Sequence, residues 1–134
     1  MSGIVDLEVL LQTLQPTLMD VEYVFCTVHG ELADYLHLNP IATFSEPEGL
    51  TLVLPQSVAQ NAGLKFESSF RQILLKVHSS LEAVGLTAAV SSALAKDGIS
   101  ANVIAAYYHD HIFVPSEKAS QALEALLRIA QRTV

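Results

Sequence analysis

His109, Asp110 and His111 are the residues whose types and spacing come closest to doing chemistry. In a continuing strand the two imidazoles project to one face and Asp110 to the other, a geometry compatible with two metal ligands. No third ligand is visible nearby in the sequence, and His78 is the remote candidate in this half of the chain. One His-x-His is a weak metal signal, so a polar hairpin whose histidines bond to the backbone is the favoured reading. A triad of His109, Asp110 and Ser79 lacks the glycines of a nucleophile elbow around its serine, which argues against hydrolase chemistry. Ser79 and Ser80 stand between an expected strand and an expected helix, where they either bond a ligand or cap the loop. The single cysteine, Cys26, cannot form an internal disulfide and lies in an apolar strand, as a small buried side chain does. No catalytic residue, resident metal or cofactor is therefore assigned, and an enzyme is not expected.

The elements that would position these residues follow from periodicity. Ile73, Leu75 and Val77 alternate with Gln72, Leu74 and Lys76, which predicts a strand over 70–77. Leu86, Ala89, Val90, Ala93 and Leu94 recur at helical spacing, with Gly98 where a left-handed C-cap belongs. Ile99 to Tyr108 reads as a strand apolar on both faces, and so as a central one. His109 to His111 is the expected turn, and Ile112 to Val114 the returning strand. Pro115 and Ser116 then open a last helix, whose Ala119, Ala122, Leu123, Leu126, Leu127 and Ala130 share a face.

The first half is less regular. Leu7, Leu10, Leu11 and Leu14 suggest a short amphipathic helix that Pro16 ends. Val21 to Val28 reads as a strand, 31–40 as a turn of helix or a packed loop, and Ile41–Phe44 and Leu50–Leu54 as a hairpin. Its turn is Ser45-Glu46-Pro47-Glu48-Gly49. A short helix follows from Pro55-Gln56-Ser57 to near Gly63. Val53-Leu54-Pro55-Gln56-Ser57 and Phe113-Val114-Pro115-Ser116-Glu117 end their hairpins alike, which suggests duplication of one small module. The first copy shows no obvious opening strand.

Composition bounds the function classes. With 134 residues, 51% of them hydrophobic, the chain can build a substantial core without metal or disulfide. The net charge is −7 and lopsided: residues 1–64 carry eight acids and no Lys or Arg. Such a surface repels phosphate backbones and lacks the polybasic signal for anionic membranes, so neither nucleic acid nor membrane is an expected partner. No apolar run approaches a membrane span, and MSGIVDLEVL lacks the features of a signal peptide, so a cytoplasmic location is expected.

The segments Val77-His78-Ser79-Ser80-Leu81-Glu82-Ala83-Val84-Gly85-Leu86-Thr87-Ala88-Ala89, Ile99-Ser100-Ala101-Asn102 and Tyr107 to Pro115 together resemble an ACT domain. Tyr23 to Val28, Ala42-Thr43-Phe44 and Glu48 to Pro55 fit in the first half. The resemblance is strongest to small bacterial proteins with two ACT-like units, relatives of the CASTOR arginine sensors and of aspartate-kinase regulatory domains. It implies an α+β, ferredoxin-like fold of two side-by-side ACT units, 1–66 and 67–134, with antiparallel sheet and helices packed on one face. It also implies non-enzymatic, regulatory binding of a small molecule, an amino acid above all, and a homodimer. In such modules the effector lies at the interface of paired units. Carried over by motif, its site falls on Val84, Gly85, Leu86 and Thr87, with Ser100, Ala101 and Asn102. Free N–H groups at a helix start suit a carboxylate, and Gly85 lets the backbone come close. Glu46 and Glu48 would receive a cationic side chain if their turn approached the ligand. The alternative is a protein-interaction module without a small ligand.

Overall fold

A computed structural model describes residues 11–12, 14–76 and 85–131. The fold is α+β. In chain order it comprises β1 (Pro16–Val28), a 3-10 helix (Leu32–Leu38), β2 (Ala42–Glu46), β3 (Gly49–Pro55), α1 (Gln56–Asn61), β4 (Phe70–Leu75), α2 (Leu86–Lys96), β5 (Asn102–Ala105), β6 (Asp110–Pro115), a 3-10 turn (Ser116–Lys118) and α3 (Ala119–Ala130). The chain divides into two compact units. One is Val21–Phe70, and the other joins the residues up to Asp20 with those from Arg71 onward.

In the unit Val21–Phe70 the strand order is β2-β3-β1, antiparallel throughout. Strand alternation sends Val24, Cys26 and Val28 of β1 and Leu50, Leu52 and Leu54 of β3 to one face, where Ala59 of α1 packs with them. Tyr35 and Leu38 of the 3-10 helix, with Leu64, lie against the same cluster. Leu64 docks because Gly63, at φ +71, closes α1: its N–H bonds Gln60 O at 3.1 Å, and the Leu64 N–H bonds Ala59 O at 3.0 Å. That is the double bond of a glycine-terminated helix with its apolar follower turned back to the core.

In the other unit Pro16–Asp20 of β1 lies beside β4, followed by β6 and β5. Arg71 clamps the β1 side, donating Nε and Nη2 to Met19 O at 3.1 and 2.9 Å. Ile73 and Leu75 of β4 and Ile112 and Val114 of β6 face one core with Leu86, Val90 and Leu94 of α2 and Ala119, Ala122, Ala125 and Leu126 of α3. Both helices therefore cover a common face. α2 ends as α1 does: Gly98, at φ +70, bonds Ala95 O at 2.9 Å, and Ile99 bonds Leu94 O at 3.0 Å while entering the core.

The duplication is visible in the backbone. Pro55 (φ −55, ψ 139) and Pro115 (φ −52, ψ 134) end their strands in almost the same conformation and lead into helical turns. Val53 pairs with Ala42 as Phe113 pairs with Asn102, so β2-β3 and β5-β6 are equivalent hairpins.

Four sequence expectations change. The first copy does have an opening strand, β1, and its first helical slot is filled by the 3-10 helix. β1 begins at Pro16, which stops a helix and also opens a strand, since the first strand position tolerates a missing N–H. Of the expected N-terminal helix, Leu11 and Gln12 are helical, and the rest lies outside the described residues. β5 is short and terminal in the strand order, not central, and the turn is Tyr107-Tyr108, closed by Ala106 N to His109 O at 3.0 Å. Asp110 and His111 therefore open β6, and His109 closes the turn just before it.

Candidate functional site

The start of α2 is built from three consecutive roles. Gly85 sits just before the helix at φ +96, a conformation that favours glycine, and its carbonyl accepts the Ala89 N–H at 2.9 Å. Leu86 is buried and pins the first turn to the core, while Thr87 is exposed. The N–H groups of a first helical turn have no acceptor within the helix. Gly85 brings no side chain to cap them, and the first turn contains no acid. The equivalent turn in the first copy differs, because Asp34 Oδ2 accepts the Glu31 N–H at 3.3 Å at the head of the 3-10 helix. Positive potential at the α2 start thus meets no carboxylate from its own turn, whereas the first copy supplies one. Val84, Ser79, Ser80 and His78 lie outside the described residues.

The second expected group lies elsewhere. Ser100, Ala101 and Asn102 follow α2, where Ala101 packs against the core and Asn102 opens β5. Asn102 Nδ2 donates to Phe113 O at 3.4 Å, a long bond that leaves its carbonyl oxygen for another donor. Ala42 holds the equivalent place in the first copy, so a polar side chain occurs only in the second. The eleven residues of α2 separate Gly85 from Ser100 by a helix about 16 Å long. A single copy of this unit therefore does not bring the two groups together.

Gln72, a buried polar side chain of β4, forms the most enclosed polar contact among the described residues. Its Nε2 donates to His111 Nδ1 at 2.7 Å, which leaves the His111 proton on Nε2. The neighbouring His109 Nδ1 is buried without a hydrogen-bond partner. Burial holds the His111 pKa below its ordinary 6.5, His109 adding repulsion and Asp110 opposing both. Burial raises the Asp110 pKa, against the pull of His111 and His109. A base with a lowered folded pKa contributes stability above its unfolded value and loses it as pH falls toward the folded one. An acid with a raised pKa acts oppositely, losing stability as pH rises from 3.8 through its folded value. The His111 contribution to the unfolding free energy should therefore fall as pH drops below 6.5. His111→Gln should remove that part of the slope while keeping an amide partner for Gln72, and urea melts of both proteins across pH 5–8 check it. An unchanged slope in the variant would assign the pH dependence to other groups. Among the described residues no cluster of three His, Cys, Asp or Glu is placed to hold a metal ion.

Glu46 and Glu48 line a cleft of about 300 Å³ with His29, Gly30, Glu31 and Gly49, in the unit Val21–Phe70. Glu46 also accepts a hydrogen bond from the Thr51 hydroxyl. Tyr35 OH, which donates to His29 O at 2.5 Å, holds the loop on one side of this cleft.

The β-α-β-β-α order in the second copy, its counterpart in the first and the glycine before α2 agree with the sequence comparison. ACT-domain profiles match residues 2–71 and 67–128, and the chain belongs to the ACT-domain family. It is similar to the crystal structure of a Vibrio cholerae protein of unknown function, a possible transport protein: 65% identity, 93% of this chain and 96% of that one covered, TM-score 0.88. An Agrobacterium tumefaciens protein shares the fold at 13% identity and TM-score 0.68, over 87% of this chain and 89% of that one. The ligand-free regulatory subunit of aspartate kinase from Thermus thermophilus shares it at 12% identity and TM-score 0.62, over 87% and 98%. No curated protein matches this chain. No helix among the described residues is long and apolar enough to cross a membrane.

Proposed function

We propose that this chain is a non-enzymatic regulatory protein that binds a small carboxylate-bearing metabolite, an amino acid first, through the second ACT unit. The observation that carries the reading is the bare start of α2: a left-handed glycine, exposed Thr87 and a first turn without an acid. A carboxylate there accepts charge-assisted bonds from the first-turn amides, each worth about 1.5–3 kcal/mol before ordering costs. The ligand's other end meets Ser100, Ala101 and Asn102. Since α2 holds these apart within one unit, the complete site takes its two groups from different units, and a homodimer supplies them. ACT-family membership and the similarity to an aspartate-kinase regulatory subunit support a sensing role over catalysis.

The acidic first half, with no Lys or Arg before Lys65, makes arginine and lysine the first amino acids to test. Two variants separate binding from folding. Thr87→Glu places an acid in the first turn, where it favours the helix by about 0.3–1 kcal/mol and repels a carboxylate ligand. Asn102→Ala removes one polar contact from an exposed position. Calorimetry with an identified amino acid should show weaker binding for both, by about tenfold for Thr87→Glu, with melting temperatures held or raised for Thr87→Glu. Parental affinity in both variants would place the site elsewhere. Sedimentation should show a dimer at micromolar protein, and a monomer that still binds would remove the two-copy site.

A further inference from the structure

The sheet face of the unit Val21–Phe70 that turns away from its helices carries a second cleft. Register defines that face: Phe25 and Val53 are opposite, as are Thr27 and Thr51, while Phe44 pairs with Thr51 and Ala42 with Val53. Phe25 and Phe44 therefore stand diagonally across Val53 and Thr51 of β3, with Thr27 next to Phe25 on β1 and opposite Thr51. Glu46, two residues beyond Phe44 along β2, projects to the same face. These residues line a cleft of about 570 Å³ with Ser45 and Cys26. Phe70 packs edge-on against Phe25, ring centroids 5.3 Å apart at 74°, and so fixes one aromatic wall. Phe44, 45% exposed, forms the other.

We propose that this cleft binds a small organic cation with an apolar body, a primary or quaternary ammonium. Aromatic rings in the lining attract a cation through their quadrupoles, and the Glu46 carboxylate, which keeps one oxygen beyond its bond to Thr51, complements its charge. The surrounding charge selects the same sign: Val21–Phe70 holds Glu22, Glu31, Asp34, Glu46, Glu48 and Glu67 against Lys65 alone. An anion of equal size is repelled. This site is separate from the α2 start and takes ligands that have no carboxylate.

The probes are phenethylammonium and benzyltrimethylammonium, with 3-phenylpropionate as an anion of similar size, each titrated into the full-length protein and followed by amide chemical shifts. Both cations should shift Phe25, Thr27, Phe44 and Thr51, and the anion should not. Glu46→Gln, which keeps an acceptor for Thr51, and Phe44→Leu, which keeps an apolar side chain without a ring, should each weaken binding by about three- to tenfold. Absence of shifts with either cation, equal response to the anion, or parental affinity in both variants would overturn the proposal. So would a dimer that Phe44→Leu dissociates while the cations leave these amides unmoved, because the face would then be covered by a second copy. Failure here leaves the carboxylate site intact, since none of these probes except the anion can occupy it.

Discussion

Replacing Leu126 by Ala lowers the unfolding free energy by about 2–5 kcal/mol, the range for deleting a buried leucine side chain. Leu126 is fully buried on α3, in the cluster formed with α2, β4 and β6. Its buried neighbours on that face, Ala119, Ala122 and Ala125, are small, so of the α3 residues in this cluster only the partly buried Ile129 is large enough to lean into the vacated space. Part of the cost is lost transfer energy and part is the cavity that the sheet cannot close. Denaturant melts measure it. A loss below about 1 kcal/mol would mean that α3 repacks freely and is not a fixed cover of the sheet.

Gly49→Val should be the second most damaging change, at about 1–3 kcal/mol. A Cβ at Gly49 would stand 2.9 Å from Thr27 Oγ1 and 3.0 Å from Val28 O, and the second of these is backbone within the β1–β3 pairing. The chain must then shift where Val28 pairs with Leu50, both buried. Gly63→Ala is the matching control. A Cβ there meets nothing within 4 Å, and only its φ of +71 is unfavourable, at about 1–2 kcal/mol. A loss at Gly63 alone, with none at Gly49, would contradict the close approach of β3 to β1.

How much of this was legible depended on how local the signal was. Alternation around Ile73 and the helical stripe from Leu86 to Leu94 lie within one element each, and both elements formed where expected. Gly98 and Gly63 read correctly as helix ends, because the left-handed conformation is a property of one residue. β5 misled because an apolar run does not say how many neighbours its strand has. Ala101 and Val103 face the core, while Asn102 and Ile104 turn to the other side at the end of the strand order. The Tyr107-Tyr108 turn carries neither Gly, Asn nor Pro, so the polar His109-Asp110-His111 drew the prediction instead. The Gln72–His111 contact joins residues 39 apart and left no local trace. The site residues were named from a family motif, and a motif does not state whether its parts meet within one unit. The length of α2 does.

The most direct test of the proposed carboxylate binding is a calorimetric titration of the proteinogenic amino acids, each paired with its carboxamide. At least one amino acid, arginine or lysine first, should bind, and its carboxamide should bind at least tenfold more weakly, because the amides at the start of α2 lose their anionic partner. Equal binding of an amino acid and its carboxamide, or no binding across the panel, would contradict the account.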